Sequence, residues 1–254
     1  MRPKSEERED RGPRGAPWVV IVLIGLLVAV HLFITLHSEK EAEFLSQAMA
    51  FIPMRYDAGA FAAPGGSLAM ALSPLTYMLV HADWTHLGVN AVWLLIFGTM
   101  VARRTGTVRF LALTLMTGVA GILLFWPLHV GDDSIVVGIS GAVSGLMAGG
   151  VRLIHAASRE GRGLAFMLAP EGAVPRLSET LAHAPSQVVI GIWLLLNVAI
   201  AVAARVFTSD LAIAWEVHLG GFLLGLLAFP FFDRPLPRRA VASERQQEKN
   251  VSDV

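Results

Sequence analysis

The sequence predicts an all-α, polytopic membrane protein of six transmembrane helices. Hydrophobic residues make up 54% of the 254-residue chain and charged residues only 16%, where soluble domains average about 25% charged. The charged residues gather at the ends of long apolar runs instead of being spread between them. Six of those runs approach the ~20 residues that a helix, rising ~1.5 Å per residue, needs to cross a hydrocarbon core of about 30 Å. Backbone polar groups find no water inside lipid, so each run must satisfy them internally as a helix.

The first run, Trp18–Leu36, carries no charge. HSEKEAEF follows it instead of a small-residue cleavage site, which separates it from a signal peptide. The second, Trp84–Val101, is closed by Arg103 and Arg104; the third is Phe110–Leu128, the fourth Val136–Ile154 and the fifth Gln187–Val206. The sixth, Ala212–Phe232, ends on Asp233, Arg234 and Pro235. Residues 1–16 and 235–254 are polar, charged and aperiodic, the pattern of disordered tails, leaving residues 17–234 as the membrane domain. Between the first two runs, FLSQAMAFIPMRY and LAMALSPLTYMLVH are apolar but too short to span. They are expected as helical pieces in the interface or on the bundle.

Twenty acidic and twenty basic residues cancel, so bulk charge gives no argument for a nucleic-acid partner. The absence of cysteine excludes disulfides, iron–sulfur chemistry, a thiolate zinc site and a cysteine nucleophile. HExxH is absent, and His81, Asp83 and His86 lack a diagnostic zinc spacing, so no metal and no cofactor is expected. With the N-terminus in the cytoplasm, all of the 20 basic residues except Lys40, Arg55 and Arg205 fall on the cytoplasmic side. Six spans then return the C-terminus there.

Polar groups inside a span are expensive and mark functional sites by default. In this topology the second, fourth and sixth helices run inward from the outer face, which places His86, Asn90, Ser140 and His218 together in the outer third of the bilayer. His86 and Asn90, four apart, share a helix face. Asp83 fits the N-cap of that helix, and His81 sits slightly higher. Gly141, Gly145 and Gly149 recur every four residues in the fourth helix, and Gly221 and Gly225 do so in the sixth. Such stripes let helix backbones approach closely. Packed stripe to stripe, these two helices would bring the Ser140 hydroxyl to the His218 imidazole, the arrangement of an activated serine nucleophile. Each feature alone has an ordinary explanation in packing or a structural hydrogen bond; their convergence at one depth on three co-directional helices does not. His31 and Asn197 read as structural hydrogen bonders, and His37, His129, His155 and His183 as solvated. Trp18, Trp84, Trp126 and Trp215 read as interfacial anchors.

HADWTHLGVN (His81–Asn90), GISGAVSGL (Gly138–Leu146) and WEVHLGGFLLG (Trp215–Gly225) together resemble the motifs of the rhomboid family of intramembrane serine proteases, in order, spacing and helix placement. The resemblance covers roughly residues 17–234 and implies a six-helix, rhomboid-like bundle of the basic bacterial form, in the inner membrane. It implies Ser140 as nucleophile and His218 as general base, then acid, in a dyad without an aspartate. His86, Asn90 and the Ser140 N–H would form the oxyanion hole. His81 would support the site, and Gly138 and Gly141 would permit close backbone approach. The implied substrate is a helix of another membrane protein, cut near the outer face. It would enter from the lipid between the second and fifth helices, past Trp193. The outer loop or the loop after residue 206 would act as a lid. Two positions depart from the family pattern. The residue four after the serine, often an aromatic that stacks on the histidine, is Ser144, which leaves the imidazole either held less firmly or braced by another ring. The outer loop has PMRY (Pro53–Tyr56) in place of the common Trp-Arg pair. The alternatives are an inactive rhomboid-like binder of membrane helices and a proton relay through the same histidines. The relay is disfavoured because no charged side chain continues the path through the inner half of a span.

Overall fold

The computed structural model describes residues 15–57, 64–159, 173–207 and 214–233. The helices, in chain order, are α1 (Trp18–Thr35), α2 (Glu39–Met49), α3 (Gly66–Thr76), α4 (Trp84–Trp93), α5 (Thr99–Thr105), α6 (Thr107–Phe125), α7 (Ser140–Arg159), α8 (Leu177–Ala182), α9 (Ala184–Phe207) and α10 (Trp215–Phe232). A π-helical segment, Leu94–Gly98, joins α4 and α5 into one continuous rod. Among the described residues the only β feature is an isolated antiparallel bridge between Phe51 and Val136. The all-helical membrane class follows.

Among the described residues, four helical stretches are long and apolar enough to cross a membrane: Trp18–Thr35, Trp84–Thr105, Thr107–Leu128 and Trp215–Phe232. Their outward faces are apolar as lipid requires: Ile21, Val22 and Phe33 on α1, Val89 and Val92 on α4, and Leu223 and Leu227 on α10 are all exposed. Helix α7 differs. Every residue from Gly141 to Leu153 is buried, so protein surrounds it. It therefore needs small residues for close packing more than it needs a lipophilic surface.

Glycines set the central packing. A Cβ on Gly221 would run into the carbonyl of Gly141, one on Gly225 into that of Gly145, and one on Gly149 into the Phe229 ring. The pairs 141/221, 145/225 and 149/229 climb in step, so α7 and α10 run parallel with their backbones touching. Helix α6 runs antiparallel to both. Its Gly121 lies against Val217, its Thr117 side chain fills the space beside Gly145, and its Thr117 carbonyl lies beside Gly221.

Several boundaries differ from the sequence reading. The run beginning at Val136 is not helical at its start: Val136 pairs with Phe51, exchanging two backbone bonds of 3.0 and 2.9 Å. The helix begins only at Ser140, after Gly138 with φ +105°. The second span continues past Val101 to Thr105. Arg104 is therefore not a solvated loop charge; it is buried and makes a two-pronged ion pair with Asp233 at the end of α10, whose second arm measures 2.9 Å. His155 is not solvated either: it is 8% exposed and stacks on His183 with ring centroids 4.3 Å apart. His31 has no hydrogen-bond partner among the described residues and meets the Trp84 ring edge-on at 4.5 Å. Residues 1–14 of the first expected tail, the whole of the second, and residues 208–213 of the expected lid lie outside the described residues.

The described parts of the outer loop fold as short helices, as its apolar pieces suggested. Arg55 organises it: its guanidinium is buried and donates to the carbonyls of Ala50 and Gln47 at 2.8 Å and of Pro64 at 3.1 Å. The PMRY stretch thus closes its own loop without a tryptophan.

Candidate active site

The approach to α7 is threaded between α4 and α10. Gly138 donates its N–H to the Tyr77 carbonyl at 2.9 Å, and the Tyr77 hydroxyl in turn donates to the Gly118 carbonyl at 2.8 Å. This fixes the strand-like entry against the bundle. A Cβ on Gly138 would sit 2.8 and 2.9 Å from His86 ring atoms and 3.6 Å from the Asn90 amide nitrogen. Glycine is required there twice over, by the positive φ and by the neighbours. Gly141 is similar in kind: a Cβ would come 2.7 Å from Val217.

Ser140 opens α7, and its hydroxyl lies 2.8 Å from His218 Nε2. The touching glycines just below hold the two helices at that spacing. As the first residue of a helix, Ser140 also has an N–H without an intrahelical acceptor, at the positive end of the helix dipole. A part-buried hydroxyl bonded to an imidazole can pass its proton to the ring as the oxygen attacks carbon.

His86 and Asn90 stand together beside Gly138, carried by α4. The helix start is capped by Asp83, whose carboxylate accepts from the His86 backbone N–H at 2.8 Å. That bond holds the Asp83 carboxyl below the usual carboxylate range. Asn90 is 4% exposed, and its Nδ2 has no partner among the described residues. A buried amide donor without an acceptor is costly, and its N–H is free to donate to an oxygen brought beside it. His81 is buried behind, its ring edge-on to His86 at 5.2 Å. The structure thus brings Ser140, His218, His86, Asn90, His81, Gly138 and Gly141 into one cluster.

The comparison with known families bears on this same segment. Residues 69–234, from α3 to the end of α10, match the model of the Rhomboid domain. The chain belongs to the rhomboid family. Rhomboid-like protein 11, chloroplastic, of Arabidopsis thaliana is 26% identical over 145 residues, which covers 57% of this chain. The chain aligns with only 44% of the length of that relative.

In this rhomboid the imidazole is held by a residue that the sequence reading took as merely structural. Asn197 of α9 lies with its Oδ1 2.6 Å from His218 Nδ1, and its Nδ2 donates to the Trp193 carbonyl at 2.8 Å. Trp193 is also not a lipid-facing gate residue. It is 7% exposed and stacks on Phe222, ring centroids 4.2 Å apart. The available sequence signal was faint: Trp193 and Asn197 share a face of α9, as His218 and Phe222 share a face of α10. Nothing in the sequence says those faces meet.

Proposed function

We propose that the protein is an intramembrane serine endopeptidase with Ser140 as nucleophile and His218 as general base and acid. The observation that carries this reading is the 2.8 Å bond between the Ser140 hydroxyl and His218 Nε2, in a family whose members are generally serine proteases. Ser140 Oγ attacks the scissile carbonyl carbon while its proton passes to His218 Nε2. The carbonyl oxygen becomes an oxyanion, received by Asn90 Nδ2, the Ser140 N–H and the His86 ring. Collapse breaks the C–N bond, and Nε2 returns the proton to the leaving amine. Water then attacks the acyl-serine ester, giving its proton to Nε2, and Ser140 recovers a proton as the ester C–O bond breaks. Removing a single oxyanion donor of this kind typically costs about 10²–10³ in rate. His81 packs behind His86 and keeps its ring in place.

The substrates on this reading are helices of other membrane proteins. A helix hides its carbonyls in its own hydrogen bonds, so segments weakened by Gly or Pro near the outer boundary are preferred. The membrane topology proposed has six spans, α7 and α9 completing the four clearly apolar ones. Both termini then lie in the cytoplasm, in a bacterial inner membrane.

Fluorophosphonate labelling and cleavage of a reporter membrane helix test the reading. Wild type should be labelled and active, whereas Ser140→Ala and His218→Ala should fold but show neither property. Cleavage that persists in purified Ser140→Ala removes the assignment. Stable capture of membrane helices by a wild-type protein that is never labelled would instead select the inactive binder.

A further inference from the structure

We propose that Asn197 is a positioning residue for His218, fixing which ring nitrogen carries the proton so that Nε2 meets Ser140 as an acceptor. The inference deepens the protease reading and rests on it. Its starting point is a group with one possible role. The Trp193 carbonyl can only accept, so the atom 2.8 Å from it must be the Asn197 amide nitrogen. That orients the amide and leaves Oδ1 facing His218 Nδ1 at 2.6 Å. An amide oxygen also only accepts, so Nδ1 carries the hydrogen. A neutral imidazole has one N–H; Nε2 therefore presents its lone pair to the Ser140 hydroxyl 2.8 Å away. Turning the amide over would set oxygen against oxygen at Trp193 and oblige Nδ1 to give up its proton, leaving Nε2 unable to accept one.

A second contact steadies the first. Trp193, one turn before Asn197, stacks on Phe222, one turn after His218, with an interplanar angle of 18°. The two helices thus meet on two rungs, one aromatic and one hydrogen-bonded. Ser144, at the position where an aromatic would stack on the histidine, is small and buried; Asn197 supplies the restraint from the other side. Asn197 gains no proton in the reaction. When Nε2 takes the serine proton the ring becomes cationic, and the Nδ1–H···Oδ1 bond becomes charge-assisted and stronger. An interaction that grows toward the transition state acts on kcat and leaves KM alone.

The experiment compares wild type, Asn197→Leu and Asn197→Asp in detergent, by the rate of fluorophosphonate labelling and by kcat and KM on a reporter helix. Leucine keeps the branching at Cγ and removes the acceptor; aspartate keeps an acceptor at Nδ1 and loses the donor to Trp193. Asn197→Leu should be labelled and turn over roughly 10–100-fold more slowly, with KM within about twofold of wild type. Asn197→Asp should fall between the two, with the acidic limb of its kcat profile moved to higher pH because a carboxylate favours the imidazolium. Wild-type labelling and kcat in Asn197→Leu overturn the inference. So does an equal loss in both variants, or a rise in KM at constant kcat. If Asn197→Leu does not fold, Asn197→Ala carries the same expectation. A wild type that is itself never labelled removes the protease reading instead, so the two failures are distinct.

Discussion

Gly221 shows how little room a single residue has in this bundle. Its missing side chain is replaced by the Gly141 carbonyl, and a backbone atom cannot swing aside as a side-chain tip can. Gly221→Ala should push α7 and α10 apart, at or above the ~1–3 kcal/mol usual for overpacking. It should abolish cleavage, because Ser140 and His218 ride on those helices. Gly191→Ala on the exposed face of α9, where a Cβ would meet nothing within 4 Å, should be neutral or stabilising. Thermal unfolding in detergent together with reporter cleavage reads both. A second residue-level expectation concerns Arg55. Arg55→Ala leaves three carbonyls without their donor, and hydrogen exchange in residues 47–57 should rise sharply while α6 and α10 stay protected. At this scale much of the candidate site was legible before the structure. Ser140, His218, His86 and Asn90 stand out because polar groups in a span are expensive and these four converge in depth. Asn197 did not stand out. It is a single polar residue between Gln187 and Arg205 at the ends of its run, and its partner lies 21 residues away on another helix, a contact that only tertiary packing creates.

Helix α4 carries two members of the cluster, and its start rests on Asp83. Because the carboxyl is held below its ordinary range by the His86 N–H, the folded state favours the ionised form. The contribution is therefore present at neutral pH and above. It disappears as pH falls through the lowered value, when the protonated carboxyl accepts less well. Asp83→Ala should cost about 0.5–2 kcal/mol at pH 7 and much less in acid, whereas Asp83→Asn should keep most of the cap with little pH dependence. Unfolding midpoints of the three proteins at pH 7 and pH 3 check this. Elements were less legible at their edges than in their existence. The Val136–Gly138 segment is apolar enough to read as the head of a span, but hydropathy cannot distinguish a helix from a buried extended strand. Here the β-branched residues Ile135, Val136 and Val137 and the positive φ of Gly138 decide for the strand. In α7 small residues lower the hydropathy for a packing reason, since a helix enclosed by protein has no need of a lipid-compatible surface.

Across the whole molecule, charge ties helix ends together. Counting Arg104 among basic residues at a membrane edge did not reveal its structural role. Its guanidinium is buried against Asp233, and Arg109 donates to the Asp233 backbone carbonyl at 3.1 Å. Together they staple the end of α10 to α5 and the start of α6, at the end opposite the candidate site. Asp233→Ala removes the carboxylate from a buried pair, a change that typically costs about 3–5 kcal/mol. Its unfolding temperature should fall clearly below that of the milder Asp233→Asn. Arg152 acts similarly in the interior, donating to the Leu226 carbonyl at 2.9 Å and to Pro175 at 2.6 Å. One property of the bundle follows from its central seam. Where side chains cushion two helices, a change of solvent can let them breathe. Where main chain rests on main chain, as along Gly141/Gly221 and Gly145/Gly225, there is no compressible layer. The gap between hydroxyl and imidazole is then a rigid gauge length, transferred unaltered from one lipid thickness to another or into a micelle, even while the outer helices adjust around it.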